Sequence, residues 1–120
     1  MHLHWKKYIS FISARNDFKN KSCVYVQTDN KGVPVRVGKA SKGLQVRYRG
    51  GTGYAIEAAM HQSGNLFFVA AVPESQCEKV EANLIYNNKD LLTYNNIGKN
   101  NPPSRKLTIV HSGDRPKFKA

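Results

Sequence analysis

Asn65-Leu66-Phe67-Phe68-Val69-Ala70-Ala71-Val72 is a nearly continuous apolar run closed by Gly64 on one side and Pro73 on the other. A run this short, bounded by breakers, reads as a central strand buried on both faces. Pro73 suits the entry of a helix, and the good helix formers after it predict a helix over Glu74 to Asn88. At about 100° per residue, Cys77, Val80, Leu84 and Ile85 fall on one arc of that helix, and Glu81 falls inside the arc. Burying an unpaired carboxylate costs several kcal/mol. Glu81 therefore calls for a cation, either an arginine or a metal ion.

Upstream, Cys23 to Thr28 and Val33 to Gly38 are valine-rich and alternating, with Asp29, Asn30, Lys31 and Gly32 as turn residues between them. They predict a hairpin. Symmetric pairing across a two- or four-residue loop puts Tyr25 opposite Arg36, and Cys23, Tyr25 and Gln27 share a face that becomes the expected working face. Tyr54 to His61 reads as a helix, and Trp5, Tyr8, Ile9 and Ile12 have the spacing of a short amphipathic helix over residues 4 to 14. Past the Pro102-Pro103 stop, Leu107 to Val110 reads as a last strand, and Ser112 to Ala120 as a basic tail, mobile until it meets an anion. The expected fold is α/β (α+β): a small, mainly antiparallel, three-stranded sheet flanked by helices. Its expected organisation is an N-terminal helical extension (1–21), one folded domain (22–111) and a basic C-terminal tail (112–120).

Forty per cent hydrophobic residues in 120 are enough for one modest core. Lys and Arg outnumber Asp and Glu by 19 to 8, a net charge of +11, which argues for a polyanionic partner, nucleic acid first. No run of about 18 apolar residues occurs, so no membrane span is expected. Tyr8 to Ala14 is broken by Ser10 and Ser13, is followed by Arg15, and does not read as a signal peptide. The expected location is intracellular, cytoplasmic or at the nucleoid, where Cys23 and Cys77 stay reduced as small core residues. His2, His4, His61 and His111 show no ligand spacing that completes a zinc site with them.

Five strings occur in order: Cys23-Val24-Tyr25; Arg36-Val37-Gly38-Lys39-Ala40; Gly43-Leu44 with Arg47 four residues after Gly43; Glu81 followed by Leu84-Ile85; and Tyr94-Asn95. In this order and spacing they resemble the GIY-YIG nuclease superfamily, over about Cys23 to Asn96. The resemblance implies a divalent-metal-dependent endonuclease that hydrolyses DNA phosphodiester bonds to 5′-phosphate and 3′-hydroxyl ends, with Mg²⁺ as cofactor and Mn²⁺ as a substitute. It implies that Tyr25 aims or activates the attacking water, Arg47 grips the scissile phosphate, and Glu81 binds the single metal. Asn95 would support the site and Lys39 would lie near Tyr25. Two departures stand out. Arg36 occupies the place of the second-motif tyrosine, as cationic residues do in the phage-type and microbial branches this chain is similar to, and Cys23-Val24 stands where glycine and isoleucine are usual.

The chemistry suits these residue types. An arginine fork such as Arg47 matches phosphate oxygens, Mg²⁺ is content with one carboxylate plus waters and substrate phosphate, and a cation near a phenol lowers its pKa. Arg36, Lys39, Lys42, Arg47, Arg49 and Tyr54 form the expected nucleic-acid-binding set, on DNA that is ordinary, branched or damaged duplex. Specificity is expected from a protein partner or dimer. His61 has the alternatives of proton carrier and plain helix terminus. Two other functions stay open: a catalytically inactive DNA- or RNA-binding module that retains the nuclease fold, with Arg36 on phosphate, and a basic interaction protein in which Glu81 merely pairs with an arginine.

Overall fold

The computed structural model describes residues 1–44, 66–92 and 102–118. Its strands are β1 (His2–Tyr8), β2 (Cys23–Thr28), β3 (Pro34–Ala40), β4 (Leu66–Ala71) and β5 (Val110–Gly113). Its helices are α1 (Phe11–Asp17) and α2 (Cys77–Asn87), the latter entered through a 3-10 turn at Glu74–Gln76. All five strands join one sheet in the order β3-β2-β4-β1-β5, antiparallel except for the parallel β1–β5 pair. The central strand lies where the apolar run predicts it, but among the described residues the sheet has five strands rather than three.

The added strands come from segments the sequence assigns elsewhere. Residues 4 to 14 do not form one helix. Leu3 and Trp5 alternate with His2, His4 and Lys6, and as β1 they place both apolar side chains in the core while the three polar ones stay exposed. Ser10 then caps α1. Ile9 and Ile12, which a helix over 4 to 14 would bury, are 82% and 45% exposed. The N-terminal segment is thus built into the sheet rather than appended to it.

The C-terminal segment is also tied down. Asn83, fully buried on α2, accepts a hydrogen bond from Leu107 N at 2.9 Å and donates to the carbonyls of Arg105 (3.0 Å) and Lys79 (2.8 Å). That bridge holds residues 105–107 along α2, so the last strand begins at Val110 rather than Leu107. Beyond it, Lys117 N donates to Gly32 O at 2.9 Å, and the Phe118 ring lies 4.8 Å from His111 and 5.5 Å from Trp5. As far as residue 118 the basic tail is packed on the domain.

The sheet is covered on both sides. On one face Leu3, Trp5, Val24, Val26, Val37, Phe68 and Ala70 pack beneath α2 through Cys77, Val80, Leu84 and Ile85. On the other, Cys23, Tyr25, Ala40, Phe67 and Val69 pack with Phe11 and Ala14 of α1 and with Leu44. Tyr8 OH donates to Asp17 Oδ2 at 2.7 Å and Lys6 Nζ joins the same oxygen at 3.1 Å, which fixes α1 against β1. The bond from Tyr8, then that from Lys6, holds the Asp17 carboxyl below its ordinary range. Burial, reinforced by Asp17, pushes the Tyr8 phenol well above its own.

Two predictions separate this fold from a helical extension. Trp5→Ala should lower unfolding free energy by about 3–5 kcal/mol, whereas Ile9→Ser should stay within about 0.5 kcal/mol of the parent, both read from urea midpoints. The depressed Asp17 contributes stability that is complete above the ordinary aspartate value and lost as pH falls through the folded one. The midpoint gap between the parent and Asp17→Asn should therefore hold steady from neutral pH downward and close only below pH 3.8.

Candidate functional site

The β2–β3 hairpin carries three of the expected site residues, and its turn sets their register. Asp29 Oδ1 accepts from Lys31 N (2.8 Å) and Val33 N (3.0 Å), and Asp29 N donates to Val33 O at 2.9 Å. Thr28 then pairs with Pro34, but Gln27 pairs with Arg36, so Val35 is an extra residue on β3. Such bulges slide the strands past one another. Thr28 opposite Pro34 is already one position from symmetric pairing and the bulge adds a second, so Tyr25 lies opposite Gly38, and Arg36 opposite Gln27, two positions from the symmetric expectation.

That shift gives Tyr25 a packing role. Its ring stacks on Phe67 (centroids 5.4 Å apart, 26° between planes) and lies directly over Gly38, where a Cβ would overlap the ring. Tyr25 is 1% exposed. The expected working face is therefore an interior face, closed by α1 and Leu44.

Strand alternation divides the remaining expected residues. Arg36 and Gly38 are cross-strand partners of Gln27 and Tyr25 and belong to the α1 side; Val37 and Lys39, partners of Val26 and Val24, belong to the α2 side. Glu81 is on α2, which packs chiefly on β3. It is half-buried, next to the buried Val80 and one turn from Cys77 and Ile85, so water reaches it and the demand for a compensating cation is weaker than for a fully buried carboxylate. Lys39 and Glu81 thus share one side of the sheet, while Tyr25 and Arg36 share the other. Among the described residues β3 has a single strand neighbour, and its free edge is where the two sets can meet.

Lys42, just past β3, forms an ion pair with Glu74 at 2.6 Å, both side chains more than half exposed. A pair of that kind contributes only about 0–1 kcal/mol and yields readily to a phosphate. Arg47, Arg49, Tyr54, His61 and Asn95 lie outside the described residues, as does the helix expected over Tyr54 to His61. The two cysteines are free thiols. Burial, then the neighbouring Cys77, pushes the Cys23 thiol up to about 12, so it stays protonated and unreactive.

Among the described residues no three His, Cys, Asp or Glu side chains converge as a metal cage. A single half-buried carboxylate fits a hydrated Mg²⁺, which keeps most of its water shell, and does not fit a dehydrated ion. Sequence reasoning missed a cleft at the C-terminal end of α2, lined by Tyr86, Asn87, Pro102, Pro103 and Lys106, with Lys89 Nζ 4.4 Å from the Tyr86 ring centre. Only the Pro102-Pro103 stop hinted that chain would return there. No helix among the described residues is long and apolar enough to cross a membrane. No family model, curated protein or solved structure matches this chain.

The Tyr25–Gly38 contact predicts that Gly38→Ala overpacks the α1-side core and costs about 1–3 kcal/mol, with recovery of much of that loss in the double variant Tyr25→Leu/Gly38→Ala. Additive losses measured by chemical denaturation would contradict the contact.

Proposed function

We propose that this protein is a divalent-metal-dependent DNA endonuclease of the GIY-YIG type. The observation that carries the reading is a juxtaposition of elements: β3, which bears Arg36 and Lys39, packs against α2, which bears Glu81, in the motif order of the sequence. The net charge of +11 supports a polyanionic substrate.

In this reading Arg47 forks onto nonbridging phosphate oxygens, which offsets the charge that builds up during attack. Lys39, on the Glu81 side of β3, adds a mobile positive charge for the phosphate. Arg36, at the free edge, holds the flanking backbone, Lys42 and Arg49 are further phosphate contacts, and Tyr54 and Asn95 orient the substrate. Glu81 would hold the metal through one carboxylate. When bound, Mg²⁺, or Mn²⁺ in its place, supplies Lewis-acid neutralisation of the phosphate.

Tyr25 favours a second reading. A phenol that is 1% exposed and stacked on Phe67 is poorly placed to take a proton from water, because water scarcely reaches it. If Tyr25 only packs, the same edge serves as a catalytically inactive DNA- or RNA-binding module.

Incubation of supercoiled plasmid with Mg²⁺, Mn²⁺ or EDTA tests the choice. The nuclease reading expects nicked or linear product that requires metal and falls by at least about 10² in Glu81→Ala and Arg47→Ala, with circular dichroism unchanged. Cleavage by either variant at the parental rate would refute it; a salt-sensitive gel shift with no cleavage would establish the binding module.

A further inference from the structure

On the outer half of the α1-side face, away from the Tyr25 core, two histidines converge on one hydroxyl. His2 Nε2 lies 2.7 Å from Ser112 Oγ and His4 Nδ1 lies 3.2 Å from the same atom. The fold places them: His2 and His4 are two apart on β1, so both rings emerge on one side of the strand, and the parallel register sets Ser112 of β5 directly beside His4. Gly113, at φ 75°, leaves room for the His4 ring, since a Cβ there would come within 3.1 Å of His4 Cε1.

Two imidazole nitrogens aimed at one point are the elements of a metal site. Zinc–imidazole bonds are about 2.0–2.1 Å, so with the Ser112 hydroxyl rotated aside an ion near its place needs the His2 ring to close by roughly 0.6 Å and the His4 ring by roughly 1.1 Å, within reach of exposed side chains. The donor set selects the ion. Imidazole suits Zn²⁺, Cu²⁺ and Ni²⁺, whereas Mg²⁺ prefers carboxylate and water oxygens.

We infer that His2 and His4, with Ser112 as an oxygen donor or hydrogen-bonded support, form an exposed site for an imidazole-seeking divalent transition-metal ion of the Zn²⁺ class. The site is independent of the nuclease reading and of Glu81, which lies on the other side of the sheet. An ion held there clips β5 to β1 and joins the two ends of the described chain. Because the folded arrangement binds it and the unfolded chain has no Ser112 beside His4, occupancy raises thermal stability.

Calorimetric titration of the untagged full chain with ZnCl₂, beside MgCl₂ and with ¹⁵N ring spectra of the histidines, tests the site. We expect one equivalent of Zn²⁺ that saturates with ring shifts confined to His2 and His4, a rise in melting temperature, and no histidine ring shifts with Mg²⁺. His2→Asn and His4→Asn should each remove the binding, and Ser112→Ala should weaken it by about tenfold or more, all three with unchanged circular dichroism. Any of three results overturns the inference: no saturation below millimolar Zn²⁺, binding that survives His2→Asn/His4→Asn, or equal affinity in the urea-unfolded chain, which would reduce the site to the bare His-Leu-His string.

Discussion

Both faces of β4 have to be kept from water at once. Phe67 and Val69 point to one side and Phe68 and Ala70 to the other, and fully burying each large side chain contributes about 1.5–3 kcal/mol. One covering layer would leave half of that unrealised. The strand also has two hydrogen-bonding edges, and unpaired backbone groups in a dry interior are as costly as lost hydrogen bonds. β2 occupies one edge and β1 the other. The N-terminal segment is therefore a requirement of the central strand: without β1, the backbone of Phe67 to Ala70 would lose its partners on that edge. The same demand recruits α1 to one face and α2, with the chain from Leu107 to Phe118, to the other.

Once β4 sits in the middle, the surroundings of the candidate site follow. β2 is an inner strand, so all six of its residues are buried, and Tyr25 has to point into the α1-side core. Of the two hairpin strands only β3, at the edge, presents polar groups to solvent: Arg36 and Lys39 are half-buried while Val37 and Gly38 between them are not exposed. A polar site built on the hairpin belongs on the β3 rim, under the flank of α2, because the faces of β2 are buried. The rim brings Lys39 and Glu81 to one side and leaves Arg36 on the other, so a phosphodiester engaging all three has to lie across the edge.

The elements visible in the sequence are those whose signal is local and strong. The apolar run of β4, the valine alternation of β2 and β3, and the arc of Cys77, Val80, Leu84 and Ile85 each carry enough periodicity to stand alone. The segment around Trp5 misleads because a window from 4 to 14 spans two elements; Trp5 and Tyr8 belong to β1, and Ile9 and Ile12 imitate the continuation of a helix. The hairpin register depended on a loop closed by Asp29 and Val33 rather than a symmetric one and on one extra residue, Val35, and each moves every downstream pair by one position. Asn83 and Phe118 gave no local sign, because the contacts by which they tie the chain together reach partners 22 or more residues away, Arg105 and Leu107 for Asn83 and Trp5 for Phe118. The pair His2 and His4 was invisible for the same reason as β1: at helical spacing residues two apart diverge by about 200°, whereas on a strand they align.

The register matters more for chemistry than for affinity. Even with every one of the eight carboxylates matched to a cation, eleven positive charges remain, and attraction of a phosphate backbone to such a surface falls off over a Debye length of about 8–10 Å. A side chain displaced by two strand positions still contributes almost fully at that range. Proximity catalysis has no such tolerance, since a displacement of about 1 Å can cost 10²-fold in rate. The bulge at Val35 therefore leaves a nucleic-acid-binding surface intact whichever way it is built, while it decides whether Arg36 and Tyr25 can act on the same phosphate. With Tyr25 held over Gly38 and Arg36 opposite Gln27, the aromatic group is committed to the core. Any hydrolysis at this rim would then rely on solvent rather than on Tyr25 for the proton.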